Sequence, residues 1–191
     1  DPNNWGLIFR RSPNLGKVDN GIVVVTAYGI IEEMTFPLTF EVYKPHERLK
    51  PGDQYKTKPE IAAEMIRELK KIGFKFELVL SDSLYGESNS NFVSVLDEFE
   101  LNYVVAIRSN HGVWMPLDEK VRYNKWRRFN RLFSDGKTEV RYIREIVFGT
   151  RKSKCYWQIT TDPINLPESS TWWVMTKVPG IKHKEVGNIF G

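Results

Sequence analysis

The sequence predicts an α/β fold that is followed by a β-rich segment. Before residue 108, apolar strand patterns alternate with helical patterns, which is typical of layered α/β folds. After residue 108 the pattern changes to strands rich in aromatic and basic residues. Apolar residues make up 41% of the 191 residues and charged residues 27%. This balance indicates a globular protein and excludes a disordered chain or a membrane-spanning one.

Two strands are predicted near the start. Residues 21–28 are almost continuously apolar and β-branched, which is typical of a strand buried on both faces. Residues 34–43 alternate apolar and polar side chains, which predicts a strand with one buried face. The alternating apolar residues are Phe36, Leu38, Phe40 and Val42. Because Pro37 has no N–H to donate, this strand is expected at or near a sheet edge.

Helices and strands alternate from residue 57 to residue 107. Thr57 is a good helix cap and Pro59 suits a first helical turn, and apolar residues then recur at helical spacing until Gly73. Residues 76–80 predict a short strand. A second helix, capped by Ser88 or Ser90, and a strand at 103–107 follow. Beyond residue 108, strands are predicted at 139–147, 154–160 and 172–178.

Positive charge is concentrated in one segment. Residues 120–154 hold twelve basic and three acidic side chains, a net charge of +9, whereas the rest of the chain carries −5. Such a field favours a polyanion, with nucleic acid as the first candidate, although a solvated basic hairpin has the same composition. Aromatic residues interleave with the cations, as in surfaces that bind phosphates and stack bases. The predicted DNA-binding residues are Lys125, Trp126, Arg127, Arg128, Arg131, Arg141 and Arg144.

Asp82 is the candidate catalytic and metal-binding residue. It follows a predicted strand and precedes a turn and a helix, and functional groups in open α/β sheets gather at that position. A carboxylate there suits a hard cation such as Mg²⁺. A turn aspartate that caps the next helix has the same pattern.

Other chemistry-bearing residues give weaker signals. His46 and His183 lie among polar or basic residues and are predicted to be solvated, and His111 lies in a predicted turn. The single cysteine, Cys155, excludes an internal disulfide and fits a reducing cytosol. No apolar run approaches the length of a membrane helix, and no secretory signal is visible. We therefore expect a cytoplasmic protein that does not enter the membrane.

Three segments together resemble one protein family. They are residues 16–28 (GKVDNGIVVVTAY), 53–59 (DQYKTKP) and 81–90 (SDSLYGESNS), and the last is the most specific. They resemble bacterial insertion-sequence transposases of the DDE type. The resemblance extends from about residue 15 to the C-terminus.

The resemblance implies a ribonuclease-H-like mixed sheet with flanking helices. In the family, two Asp and one Glu hold two Mg²⁺ ions for DNA cleavage and strand transfer, and Asp82 matches the second Asp. A β-rich insertion that contacts DNA precedes the Glu. The corresponding division here is a poorly ordered end at 1–20, a partial core at 21–111, a basic insertion at 112–180 and a return segment at 181–191. Transposon ends and target DNA are the implied partners.

The sequence departs from the family pattern at both ends. No strand bearing the first Asp is predicted in residues 1–13, and Glu185 lacks the helical surroundings expected of the family's Glu. The chain is therefore expected to be an internal fragment without its first strand and last helix, inactive alone. Without the first strand, residues 21–28 form an open sheet edge, which predicts self-association.

Two other functions fit the same residues. One is a DNA-binding module that uses the basic insertion without catalysis. The other is a different ribonuclease-H-like nuclease, or an interaction domain. A nuclease needs further acids near Asp82, and the candidates are Asp1, Asp19 and Glu87.

Overall fold

The computed structural model divides the chain into two compact units, Asp1–Leu101 and Asn102–Gly191. It describes residues 6–10, 22–32, 34–111, 122–133, 135–147 and 153–190. No helix within those ranges is long and apolar enough to cross a bilayer. The division proposed from the sequence, at 20, 111 and 180, stays a prediction.

The first unit is built on a mixed sheet of four strands in the order β3-β2-β1-β4. Its strands are β1 (Gly6–Arg10), β2 (Val23–Ile31), β3 (Met34–Tyr43) and β4 (Leu78–Ser81). β1 runs antiparallel to β2 and parallel to β4, and β2 pairs antiparallel with β3. Three antiparallel strands followed by a helix and a parallel strand match the ribonuclease-H-like sheet that the sequence predicts.

The prediction that residues 1–13 contain no strand is wrong. β1 has five residues, too few to show a period, but it pairs with a strand on each side, and Leu7 and Phe9 are fully buried. The predicted open edge at residues 21–28 is also wrong, because β2 lies between β1 and β3. The edge strand is β3, as Pro37 predicts.

β3 does not bury the single apolar face that its alternation predicts. A bulge opposite Ala27 and Tyr28 leaves Leu38 unpaired, so that Phe40 pairs with Thr26 whereas Phe36 pairs with Gly29. Side chains beyond a bulge change faces. The apolar residues are therefore divided between the two faces, and Phe40 is 69% exposed.

Helices pack against this sheet. α1 (Lys58–Lys71) begins at the predicted cap, Thr57, and Ile72 and Gly73 (φ +80°) follow it. α2 (Ser83–Gly86) follows β4. The predicted second helix is one π-helical turn (Asn89–Val93) continued by α3 (Ser94–Glu98), and the Ser88 side chain does not cap it. Phe9, Tyr85 and Phe92 form an aromatic cluster in the core, with ring centres 5.4–5.7 Å apart.

In its described residues, the second unit is an antiparallel sheet with one short α-helix. Its order is β5-β10-β9-β8, and β6 and β7 share the outer edge of β8. The elements are β5 (Asn102–Ile107), β6 (Arg122–Tyr123), β7 (Arg127–Leu132), β8 (Thr138–Val147), β9 (Cys155–Thr160), β10 (Thr171–Lys177) and α4 (His183–Ile189). The strands predicted at 103–107, 139–147, 154–160 and 172–178 are confirmed.

α4 corrects the expectation that Glu185 lacks a helix. Glu185 lies in its first turn, and its carboxylate accepts a hydrogen bond from the Lys182 backbone N–H (2.6 Å). Val186 is fully buried, and Gly187 lies against the Phe129 ring so closely that a Cβ atom there would be 2.5 Å from it. The helix therefore forms because it packs on β7, which the local sequence does not reveal.

Candidate functional site

Asp82 directly follows β4 and is the N-cap of α2. Its Oδ1 accepts a hydrogen bond from the backbone N–H of Leu84 (2.9 Å), and its side chain is half-buried. The capping role that the sequence left open is therefore present. The cap uses Oδ1 of Asp82, and Oδ2 is compatible with a bound cation.

The strand beside β4 contributes no second acid. β1 pairs Phe9 with Ser81, next to Asp82, and its five residues include no Asp or Glu. Across the described ranges, no group of three His, Cys, Asp or Glu side chains could hold a metal. Of the other candidate acids, Glu87 ends α2, whereas Asp1 and Asp19 lie outside the described residues. The described residues thus do not form a two-metal site by themselves.

Tyr85 is a titratable residue whose pKa is affected by Asp82. Its side chain is 1% exposed, and burial raises the pKa of its hydroxyl far above the usual range. The charge of Asp82 raises this pKa further. Tyr85 therefore stays protonated at physiological pH and belongs to the aromatic core.

Three of the seven predicted DNA-binding residues are exposed cations. Lys125 lies in the turn between β6 and β7, and Arg127 and Arg128 begin β7. Arg127 pairs with Ile143 and Arg128 with Tyr142, so the two arginines point to opposite faces of the sheet. We call Lys125, Arg127 and Arg128 the basic strip.

Arg144 and Trp126 form a stacked group near the strip. The guanidinium of Arg144 lies 4.2 Å from the ring centre of Tyr123 and 4.3 Å from that of Trp126. Its Nε donates a hydrogen bond to Oε1 of Gln158 (2.8 Å). Contacts of this kind hold a guanidinium in one orientation while it keeps its charge. Tyr123 is 49% exposed, so part of the group faces solvent.

Arg141 and Arg131 lie deeper. Arg141 is 5% exposed, and its Nε donates to Oε2 of Glu139 at 2.6 Å. Arg131 is half-buried, and its Nη1 donates to the carbonyl oxygen of Gly187 (3.3 Å). Burial lowers the pKa of Arg131, and the charge of Arg141 lowers it further. These two arginines connect β7, β8 and α4.

α4 brings three basic residues to the strip that the sequence analysis did not select, namely Lys182, His183 and Lys184. Lys184 and Asn188 line a cavity of about 440 Å³ together with Arg128 and Asn130. His183 is half-buried and is therefore only partly solvated. The run of three consecutive basic residues was a visible signal, but its proximity to β7 depends on the packing of α4.

The comparisons with known proteins decide the family. A family model described as "DDE superfamily endonuclease" matches residues 11–138, about two thirds of the chain. The chain belongs to the DDE superfamily endonucleases. The resemblance stated from the three sequence segments is thereby confirmed.

One relative of this DDE superfamily chain is a protein of Microchaete diplosiphon named "Probable transposase for insertion sequence element IS701". The two are 62% identical over 178 residues, which cover 93% of this chain and 47% of the relative. The chain thus spans about half the length of the curated relative that it matches.

Proposed function

We propose that this chain acts in DNA transposition as part of the catalytic region of an insertion-sequence transposase. The observation that carries the proposal is the 62% identity to a probable transposase along 93% of the chain. The ribonuclease-H-like sheet of the first unit and the basic sheet of the second agree with it. The proposed partners are transposon ends and target DNA.

The basic strip is proposed as the primary DNA contact. Lys125, Arg127 and Arg128 are exposed, so their charges can replace counterions on the phosphate backbone without rearrangement of the fold. None of the three forms a salt bridge with another described residue. Such contacts give affinity and orientation on the duplex rather than base specificity.

The other predicted residues are assigned separate roles by their burial. Trp126, stacked on Arg144, is proposed to contact sugar or base faces. Arg131 and Arg144 are proposed to add positive potential from half-buried positions. Arg141, at 5% exposure, is proposed to position β8 rather than to touch DNA. In this proposal all seven residues contribute, and the three exposed cations and Trp126 do so by direct contact.

Asp82 is proposed as one Mg²⁺ ligand of the family's metal site. In two-metal phosphoryl transfer, the ions activate the attacking oxygen and stabilise the leaving oxygen. Asp82 has a carboxylate at the end of a core strand, with its backbone direction fixed by the cap to Leu84. The remaining ligands are not among the residues that β1 presents.

Salt-dependent DNA binding tests the proposal. We would measure the affinity of the chain for a labelled DNA duplex between about 50 and about 200 mM salt. The variant Lys125→Gln/Arg127→Gln/Arg128→Gln should lose about two units of slope in log K against log[salt]. Each phosphate contact contributes about −0.9, and Lys125 and one of the two arginines, which point to opposite faces of the sheet, contact the same duplex. The matched control, Lys50→Gln/Lys71→Gln/Lys75→Gln, removes three exposed charges from the first unit. An equal loss in both variants would contradict the proposal.

A DNA-binding module without catalysis is the second candidate. It is favoured by the absence, across the described ranges, of a cluster of acids or other ligands around a metal position. The variant Asp82→Asn keeps the cap, because Asn is also a strong N-cap residue. If the chain is a binding module, Mg²⁺ does not change the DNA affinity of either the parent chain or the Asp82→Asn variant. If the chain is part of a transposase catalytic region, Mg²⁺ increases the DNA affinity of the parent chain, and the variant loses this increase.

A further inference from the structure

We infer that a cavity beside α4 is a binding pocket for a backbone phosphate of DNA, with His183 as one of its ligands. This inference rests on the proposed function and specifies where one phosphate binds. The cavity has a volume of about 210 Å³. The buried side chains of Ile143 and Trp157 form its apolar floor. The other lining residues are Asn124, Lys125, Arg127, Arg144, Glu145 and residues 181–183. We call it the phosphate pocket.

The charges around the phosphate pocket are unbalanced. Four cationic residues line it, namely Lys125, Arg127, Arg144 and Lys182, together with the imidazole of His183. The one carboxylate in the lining, Glu145, accepts a hydrogen bond from Nδ2 of Asn124 (2.8 Å). None of the four cations forms a salt bridge with a described residue. An anion is therefore the ligand that this lining favours.

The surroundings of His183 lower the pKa of its imidazole. Burial lowers the pKa of its imidazole, and the positive charges of Arg127 and Lys184 lower it further. A phosphate in the pocket offsets these charges and favours the imidazolium, which donates from both ring nitrogens. Phosphate binding is then coupled to proton uptake. The charged groups of the elements around His183 are Lys125, Arg127, Arg144, Glu145, Lys182, Lys184 and Glu185.

The position of the pocket favours a phosphodiester of DNA over a small free anion. The pocket opens among the residues of the basic strip, because Lys125 and Arg127 belong to both. The cations of the pocket are the exposed Lys125, Arg127 and Lys182 and the half-buried Arg144. A row of exposed cations beside a half-buried one is suited to successive phosphates of one DNA strand. The apolar floor under the cations is suited to the sugar edge, and it keeps the cations from being fully hydrated.

Nuclear magnetic resonance of the histidine rings tests the inference on the 191-residue chain. The chain has three histidines, so the ring signals of His183 can be assigned with a His183→Asn variant. We would measure the pKa of each histidine alone, with a short DNA duplex, and with inorganic phosphate at the same phosphate concentration. His46, which is exposed and packs beside Tyr55 in the first unit, is the control.

The inference predicts that DNA raises the pKa of His183 by more than inorganic phosphate does and leaves His46 unchanged. It also predicts that Arg127→Gln and Lys182→Gln each weaken DNA binding about three- to tenfold at low salt. Each variant should also abolish the DNA-induced rise in the pKa of His183. DNA binding without a change at His183 overturns the inference and leaves the proposed function standing. An equal or larger response to inorganic phosphate overturns DNA as the source. Absence of DNA binding at low salt refutes the proposed function itself.

Discussion

The guanidinium of Arg141 lies 4.4 Å from the ring centre of Trp172. It also lies 5.4 Å from the ring centre of Phe133. A cation so placed, with Glu139 as its hydrogen-bonded partner, has exchanged water for two aromatic faces and one carboxylate. Arg141 therefore stabilises the sheet that presents the other cations, although it belongs to the basic segment.

We expect Arg141→Ala to destabilise the chain without a specific loss of DNA binding. A desolvated cation–π contact and the buried side-chain stem together should contribute about 1–3 kcal/mol to the free energy of unfolding. Urea denaturation measures this loss. Lys137→Ala, whose side chain is 83% exposed, is the control and should change stability by less than about 0.5 kcal/mol. Unchanged stability with DNA affinity lost would identify Arg141 as a direct contact.

The start of α1 predicts a pH dependence. Hydrogen bonds from the Thr57 side chain and backbone to Oε2 of Glu60 lower the pKa of that carboxyl. A lowered folded-state pKa means that this stability is present above the unfolded pKa, about 4.3, and is lost as the pH falls through the folded value. Glu60→Gln should therefore show a smaller fall in stability on acidification. Glu68→Gln, exposed on the same helix, should behave like the parent chain; the same acid profile in both variants would be evidence against the capping contribution.

If the chain self-associates, we expect it to do so through β3. It is the edge of the first sheet, and Met34, Phe40 and Val42 on it are 54%, 69% and 45% exposed. Exposed apolar edge strands pair with other chains. Phe40→Lys should shift sedimentation toward monomer. Thr35→Lys adds the same charge to the same strand but removes no apolar surface, so it should have the smaller effect. A parent chain that is monomeric at all concentrations would remove the basis for this prediction.

We expect the 191-residue chain to neither cut nor join DNA in the presence of Mg²⁺. Two-metal chemistry needs several carboxylates around the ions, and the described ranges hold no such cluster. A strand-transfer assay with labelled DNA checks this. Activity that Asp82→Asn abolishes and Asp53→Asn preserves would disprove the expectation, because Asp53 is paired with Lys44 away from β4.

Elements with a long period or a strong local signal could be predicted from the sequence. α1 was recognisable from Thr57, Pro59 and fourteen residues of helical spacing, because capping and amphipathicity act locally. β8, β9 and β10 were predicted to within two residues for a similar reason. The edge position of β3 followed from the missing N–H of Pro37.

Elements that depend on distant partners could not be predicted. β1 is too short to show a period and exists because β2 and β4 pair with it. The bulge at Leu38 changes which face each apolar residue of β3 occupies, and alternation alone assumes an unbroken strand. The basic residues of the candidate site were visible as charge. Their separation into exposed, stacked and buried groups required the register of β7 on β8.

Cross-linking to DNA tests the central claim most directly, which is that the second unit binds DNA through the basic strip and α4. The chain would be irradiated with a duplex that carries 5-bromodeoxyuridine, and the linked peptides identified by mass spectrometry. The account predicts cross-links in residues 122–133 and 181–190, at Tyr123, Trp126 or His183 above all. Cross-links confined to the first unit, or unaffected by Lys125→Gln/Arg127→Gln/Arg128→Gln, would contradict it.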